Sequence, residues 1–233
     1  MRKIFWAGDS TVQTNKASTY PCTGIGQVFS LYTKNDVCIE NRARNGRSTK
    51  SFIDEGRLKL IDEAIGEGDF LFIQFGHNDE KKQDPTRYTE PFSSFMDNLE
   101  TFIQVARRHC AYPVLITPIE RRCFVDEKHL GLGEHSDYVA GMKQIAEKCN
   151  VPLIDLYSMS RQELKRVGEV QSRRWYMYFE AGEYDTCPEG KQDNTHLRYD
   201  GAFHYAGLIA KGLEELGGIY KDLLGDMIEP DAF

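Results

Sequence analysis

The chain has 233 residues, 40% of them hydrophobic and 28% charged, a globular balance with apolar material for a sizeable core. Its formal net charge of -7 sets nucleic acid and anionic membranes aside as main partners, though it leaves room for a local basic patch. No stretch approaches the ~18 apolar residues of a membrane helix.

In chain order, Met1-Arg2-Lys3 leads into Ile4-Phe5-Trp6-Ala7. Two basic residues before apolar ones resemble the start of a signal peptide, but an h-region needs roughly 7–15 apolar residues. The run 3–7 therefore reads as a first strand and the chain as cytoplasmic. Gly24-Ile25-Gly26 is half of a dinucleotide motif without its third glycine, and reads as loop and helix packing. Further runs at 37–40, 70–75, 114–117 and 152–156 have strand length and aliphatic or aromatic composition.

Helical spacing lies between the runs. Phe52, Leu58, Ile61 and Ile65 share one face, as do Phe95, Leu99, Phe102, Ile103 and Ala106, and Tyr138, Met142, Ile145 and Cys149. A last helix is expected over about 201–216. The stretch 168–192, polar and aromatic without a clean period, reads as an irregular loop feeding the site, and the tail after about 224 as loosely packed. The six cysteines are scattered with no Cys-x-x-Cys pair, which reads as reduced, mostly buried thiols.

Strands alternating with helices imply a parallel sheet covered on both faces. The expected fold is α/β: residues 1–233 as a single three-layer α/β/α flavodoxin-like domain with a five-stranded parallel sheet. In such sheets ligands bind outside the carboxyl ends of the strands.

Chemistry-bearing residues fall at those ends. Gly8-Asp9-Ser10-Thr11 follows the first strand and offers a hydroxyl, with a helix expected next. Asn45-Gly46-Arg47-Ser48 follows the second, where a glycine lets its N–H approach a ligand. Gly76-His77-Asn78-Asp79 ends the third and offers an amide donor. Asp193-Asn194-Thr195-His196 precedes the last helix, and in a turn that spacing brings a carboxylate to the imidazole Nδ1–H. Each motif alone reads more readily as a turn or a helix cap than as a site. Together they supply a nucleophile (Ser10), base (His196), orienting acid (Asp193) and oxyanion donors (Ser10, Gly46, Asn78). His77 and Asp79 have no partners at metal-ligand spacing, so no metal is expected. Asp9 is read as structural, and nothing marks Cys22 as a nucleophile.

The order Gly-Asp-Ser, Gly, Gly-x-Asn-Asp, Asp-x-x-His resembles the four blocks of the SGNH (GDSL-like) hydrolases, and the Gly-x-Ser-x-Gly elbow of α/β-hydrolases is absent. Gly8-Asp9-Ser10-Thr11-Val12, Gln74-Phe75-Gly76-His77-Asn78-Asp79, Tyr178-Phe179-Glu180-Ala181-Gly182-Glu183-Tyr184 and Asp193-Asn194-Thr195-His196-Leu197 look like the rhamnogalacturonan acetylesterase subfamily. The resemblance implies acetyl transfer to water through Ser10, with no cofactor. Its rivals are another SGNH lipase, lysophospholipase or thioesterase, and a non-catalytic flavodoxin-like binding module. Arg42, Arg44, Arg47 and Lys50 surround Gly46, and Arg198 follows His196, a basic rim that suits an anionic acetylated oligosaccharide. Trp175, with Tyr176, Tyr178 and Phe179, is a candidate for stacking on sugar rings.

Overall fold

Along each inner strand, successive side chains alternate between two buried clusters, which is the requirement of a sheet covered on both faces. In the computed structural model, which describes residues 1–226 apart from 128, 132 and 134, β1 (Arg2–Gly8) sends Ile4 and Trp6 to one side and Phe5 and Ala7 to the other. β3 (Phe70–Gln74) divides likewise, with Phe70 and Phe72 opposite Leu71 and Ile73. With β2 (Val37–Asn41), β4 (Tyr112–Ile116) and β5 (Leu153–Ile154) they form a parallel sheet in the order β2-β1-β3-β4-β5. The five strands match the sequence expectation, although β5 is held to two residues.

One layer comprises α1 (Ile25–Val28), α6 (Leu156–Ser172) and α7 (Tyr199–Leu216), which contribute to the cluster around Trp6. The other comprises α2 (Thr49–Asp54), α3 (Arg57–Asp62), α4 (Ser94–Arg108) and α5 (Ser136–Cys149). The expected faces on α4 and α5 are buried, with Cys149 half-buried at its edge. The face that runs from Phe52 to Ile65 is split between α2 and α3, because Gly56 at φ +71° takes a left-handed conformation between them. A short α8 (Gly218–Lys221) follows α7. No described helix is long and apolar enough to cross a membrane.

Chain order reverses between β1 and β3, and this switch point positions the site. Gly8 is in register with Gln74, so the segments carrying Ser10 and Asn78 leave the sheet side by side.

Three expectations need correction. The stretch 168–192 is not a single irregular loop: α6 runs to Ser172 across a non-helical break at Gly168 (φ +81°), and β6 (Tyr176–Phe179) pairs antiparallel with β7 (Lys191–Leu197). Asp193 and His196 consequently lie on a strand. No helix follows Ser10 directly, since α1 starts only at Ile25. The cysteines are half-buried, with Cys110 exposed, because several sit at element ends or on the edge strand. The expectation for the tail after about 224 falls almost wholly on residues 227–233, which lie outside those described; before them, Gly225 N–H donates to Tyr32 O at 3.1 Å.

Candidate active site

β7 ends immediately before α7, and this ending places the Asp193–His196 segment across the mouth of the sheet from Ser10. The Asp193 carboxylate accepts the backbone N–H groups of Thr195 and His196, both at 2.9 Å, and meets His196 Nδ1 at 2.7 Å. His196 Nε2 lies 2.9 Å from Ser10 Oγ. Burial raises the pKa of Asp193, but the hydrogen bond and charge of His196 with the two backbone donors outweigh it and hold the carboxyl well below the usual range. A carboxylate so held fixes the imidazole with Nε2 toward the hydroxyl, the arrangement needed to draw a proton from it.

Hydrogen bonds tie the three loops around this line together. Arg44 N–H donates to Gly8 O at 2.9 Å, and Asn45 N–H to Gln13 Oε1 at 2.6 Å. Asn78, 3% exposed, donates one amide hydrogen to Arg47 O at 3.1 Å, leaving its second for another acceptor. Gly46 sits at φ +76°, a left-handed turn that orients the N–H groups of its loop.

The remaining motif residues support this frame. Asp9 accepts the Thr11 N–H and hydroxyl at 2.9 and 2.8 Å, which shapes the turn holding Ser10. Its other oxygen lies 3.4 Å from His77 Nδ1, both groups being almost fully buried. Burial, with the charge of His135, pushes His77 down to about 4 despite the opposing pull of Asp9. Asp79 receives the N–H and hydroxyl of Thr49 and the Thr89 hydroxyl, anchoring the start of α2, while burial pushes its carboxyl up to about 7. Cys22 faces the same cavity as His196, but burial pushes its thiol up, away from the reactive thiolate. Among the described residues no group of three or more His, Cys, Asp or Glu could hold a metal.

The candidate substrate contacts fare differently. Trp175 is 3% exposed and stacked on His204 at 4.3 Å, so it has no face for a sugar. Tyr176 and Phe179 are buried, and Tyr178 lies between the guanidinium groups of Arg122 and Arg173, each 4.8 Å from its ring centre. Arg47 forks onto Glu55 at 3.0 Å, Arg42 pairs with Glu40 at 3.0 Å, and Lys50 pairs with Asp54. Arg198 is half-buried against the Tyr184 hydroxyl and Arg173 O. Arg44 stays exposed.

One residue of the frame carried no signal in the sequence. Arg122, 3% exposed, clamps the strand between Asp193 and His196: its Nη1 donates to Asn194 Oδ1 at 2.7 Å and its N–H to Asn194 O at 2.9 Å. Glu169 and the Ser172 hydroxyl hold the rest of its guanidinium. Only its fold partners, dozens of residues away, mark it.

The chain is similar to known proteins over nearly all its length. It is 41% identical to rhamnogalacturonan acetylesterase RhgT of Bacillus subtilis (strain 168) over 224 residues, 95% of this chain and 94% of that one. It is 42% identical to the probable rhamnogalacturonan acetylesterase YesY of the same organism, over 92% of this chain and 93% of that one. Among solved structures, the protein YxiM of B. subtilis superposes with a TM-score of 0.78 at 25% identity, covering 93% of this chain but 57% of that longer one. The acetylxylan esterase Axe2 of Geobacillus stearothermophilus gives 0.64 at 15% identity over 91% of this chain and 93% of that one, a likeness of fold alone. The family model of the GDSL-like lipases/acylhydrolases matches residues 7–206, and the chain belongs to that family.

Proposed function

We propose that the chain is a serine carbohydrate esterase that removes acetyl groups from acetylated pectic (rhamnogalacturonan or galacturonate) oligosaccharides. The line Ser10 Oγ–His196–Asp193, with spacings of 2.9 and 2.7 Å, carries this reading. His196 takes the Ser10 proton as Oγ attacks the acetyl carbonyl. The developing oxyanion rests against the N–H groups of Ser10 and Gly46 and the second amide hydrogen of Asn78. The C–O bond to the sugar breaks, and His196 returns its proton to the departing hydroxyl. Water, deprotonated by His196, then attacks the acetyl-Ser10 ester, releasing acetate and restoring the hydroxyl.

Saccharide as the leaving group is supported by the names of the two Bacillus relatives. It is supported also by the lining of the cavity beside His196, where Asn15, Ser18, Thr19, Asn45 and Lys191 offer polar groups to sugar hydroxyls beside the apolar surfaces of Tyr20 and Met177. An anionic saccharide has weaker support than the sequence offered, since three of the four basic residues around Gly46 are paired internally and Lys191 lies 3.4 Å from Asp193; exposed Arg44 remains. The test is acetate release from acetylated pectic and acetylated xylo-oligosaccharides at low and high salt. The reading expects higher kcat/KM on the pectic substrate, with a margin that narrows as salt rises. Equal kcat/KM at low salt returns the enzyme to general short-chain ester hydrolysis.

A further inference from the structure

A carboxamide turned by 180° exchanges its oxygen for its NH2 group, and only one of the two orientations of Asn78 presents a donor to the oxyanion. Its neighbours select that one. A carbonyl oxygen only accepts hydrogen bonds and a guanidinium only donates them. Arg47 O, 3.1 Å away, therefore meets Nδ2, and Arg87 Nη1, 3.4 Å away, meets Oδ1. The turned amide would set oxygen against oxygen at Arg47 and NH2 against a cation at Arg87. The contact to Arg87 is long for a hydrogen bond, but the donor carries charge, and its pull on the amide oxygen falls off slowly with distance.

Arg87 is itself held in place. Its Nε donates to Asp84 Oδ2 at 2.5 Å, and the other oxygen of Asp84 accepts the N–H and hydroxyl of Thr86. The N–H groups of Arg87 and Tyr88 donate to Asp84 O at 3.0 and 2.8 Å, closing the turn from which the side chain reaches back to Asn78. The same Nη1 borders the second loop of the site, since a side chain at Gly46 would bring its Cβ within 3.7 Å of it. A cavity of about 410 Å³ adjoins this corner, with Gly46, Arg47, Thr86 and Arg87 in its wall. Half-buried Arg87 lines that cavity, whereas Asn78 does not. We propose that Arg87 is a positioning residue for ester hydrolysis, which fixes the Asn78 carboxamide with its oxygen turned away and its second amide hydrogen toward the oxyanion. Its charge also draws electron density toward Oδ1, which makes the Nδ2–H a stronger donor. Without the guanidinium, water from the cavity reaches Oδ1, and water both donates and accepts, so it accommodates either orientation.

This inference rests on the acetylesterase reading, and two measurements separate their fates. The first is steady-state kinetics on p-nitrophenyl acetate. Arg87→Met, which keeps length and loses the donors, is expected to lower kcat by about tenfold with KM nearly unchanged. Arg87→Lys, which can reach Asn78 or Asp84 but cannot fork between them, should fall between that variant and the wild type. In an Asn78→Ala background, Arg87→Met should cost less than about twofold more, because its effect passes through the missing amide. The second is nitrogen-15 NMR of the Asn78 side-chain amide, identified by its loss in Asn78→Ala. One sharp pair of proton signals is expected in the wild type and a broadened or doubled pair in Arg87→Met. If the wild type cleaves no ester while this change is seen, the esterase reading falls and the positioning stands. If the Asn78 signals are the same in both proteins, the positioning is overturned. It is overturned also if esters are cleaved and Arg87→Met keeps kcat within about twofold, raises KM instead, or loses as much in the Asn78→Ala background.

Discussion

At the residue scale, Asn78 is a donor whose geometry is fixed in advance. Its amide is pinned to Arg47 O at 3.1 Å and the residue is 3% exposed, so little reorganisation is needed when charge develops opposite its second hydrogen. Asn78→Ala is expected to lower kcat by roughly 10²–10³-fold with little change in KM, because the contact forms mainly in the transition state. Steady-state kinetics on p-nitrophenyl acetate reads this directly; a rise in KM at constant kcat would assign Asn78 to substrate binding. The residues of this scale were readable in the sequence because each sits in a short motif at a strand end. What that reading could not supply was the state of charged neighbours. Arg47 and Glu55 are eight residues apart, and only their fold turns a candidate substrate contact into an internal pair.

At the element scale, the second sheet decides where the Asp193–His196 unit points. The sequence around it lacks the apolar alternation by which strands announce themselves: Lys191-Gln192-Asp193-Asn194-Thr195 is polar throughout, and the pairing of β6 with β7 shifts register between Tyr176 and Tyr178. The five parallel strands were legible for the opposite reason, since burial on both faces writes nearly continuous apolar runs. Arg122 is the brace of this small sheet, bonding Asn194 across 72 residues of chain. Arg122→Met keeps length and loses the fork, so β7 loosens between the two residues it must align. The expected result is a fall in kcat of about tenfold or more with KM nearly unchanged, and Arg122→Lys should recover little because one ammonium cannot span Asn194, Glu169 and Ser172. Unchanged kcat in both variants would make the clamp irrelevant to alignment.

At the scale of the whole molecule, a buried polar chain runs behind the site: Asp9 faces His77, His77 packs on His135 at 4.4 Å, and His135 with Arg121 engages Glu80. Buried His77 takes up its proton only near pH 4, whereas an unfolded chain takes it near the ordinary 6.5. Between those values the unfolded state binds more protons, so stability falls as pH falls, by up to about 3 kcal/mol from this group. Asp9 and Glu80, both held below their ordinary values, add losses in the same direction at lower pH. Asp79, pushed up to about 7, gains stability as pH falls over the same range, so the contribution of His77 is read as a difference. In urea unfolding at pH 7, 5.5 and 4 the wild type should lose stability relative to His77→Gln as pH falls. An identical slope in the variant would place the acid sensitivity elsewhere. None of this was visible in the motifs, because Asp9 and His77 come from different strand ends and meet only through the β1–β3 pairing.

The measurement closest to the central claim is acetate release from acetylated rhamnogalacturonan oligosaccharides by the wild type and by Ser10→Ala. Ser10 is a small, partly exposed hydroxyl, so its loss should leave the fold and its unfolding midpoint intact. The wild type is expected to release acetate and the variant to lose about 10⁴-fold or more of that rate. A folded Ser10→Ala protein that keeps more than about a tenth of the wild-type rate would contradict the account.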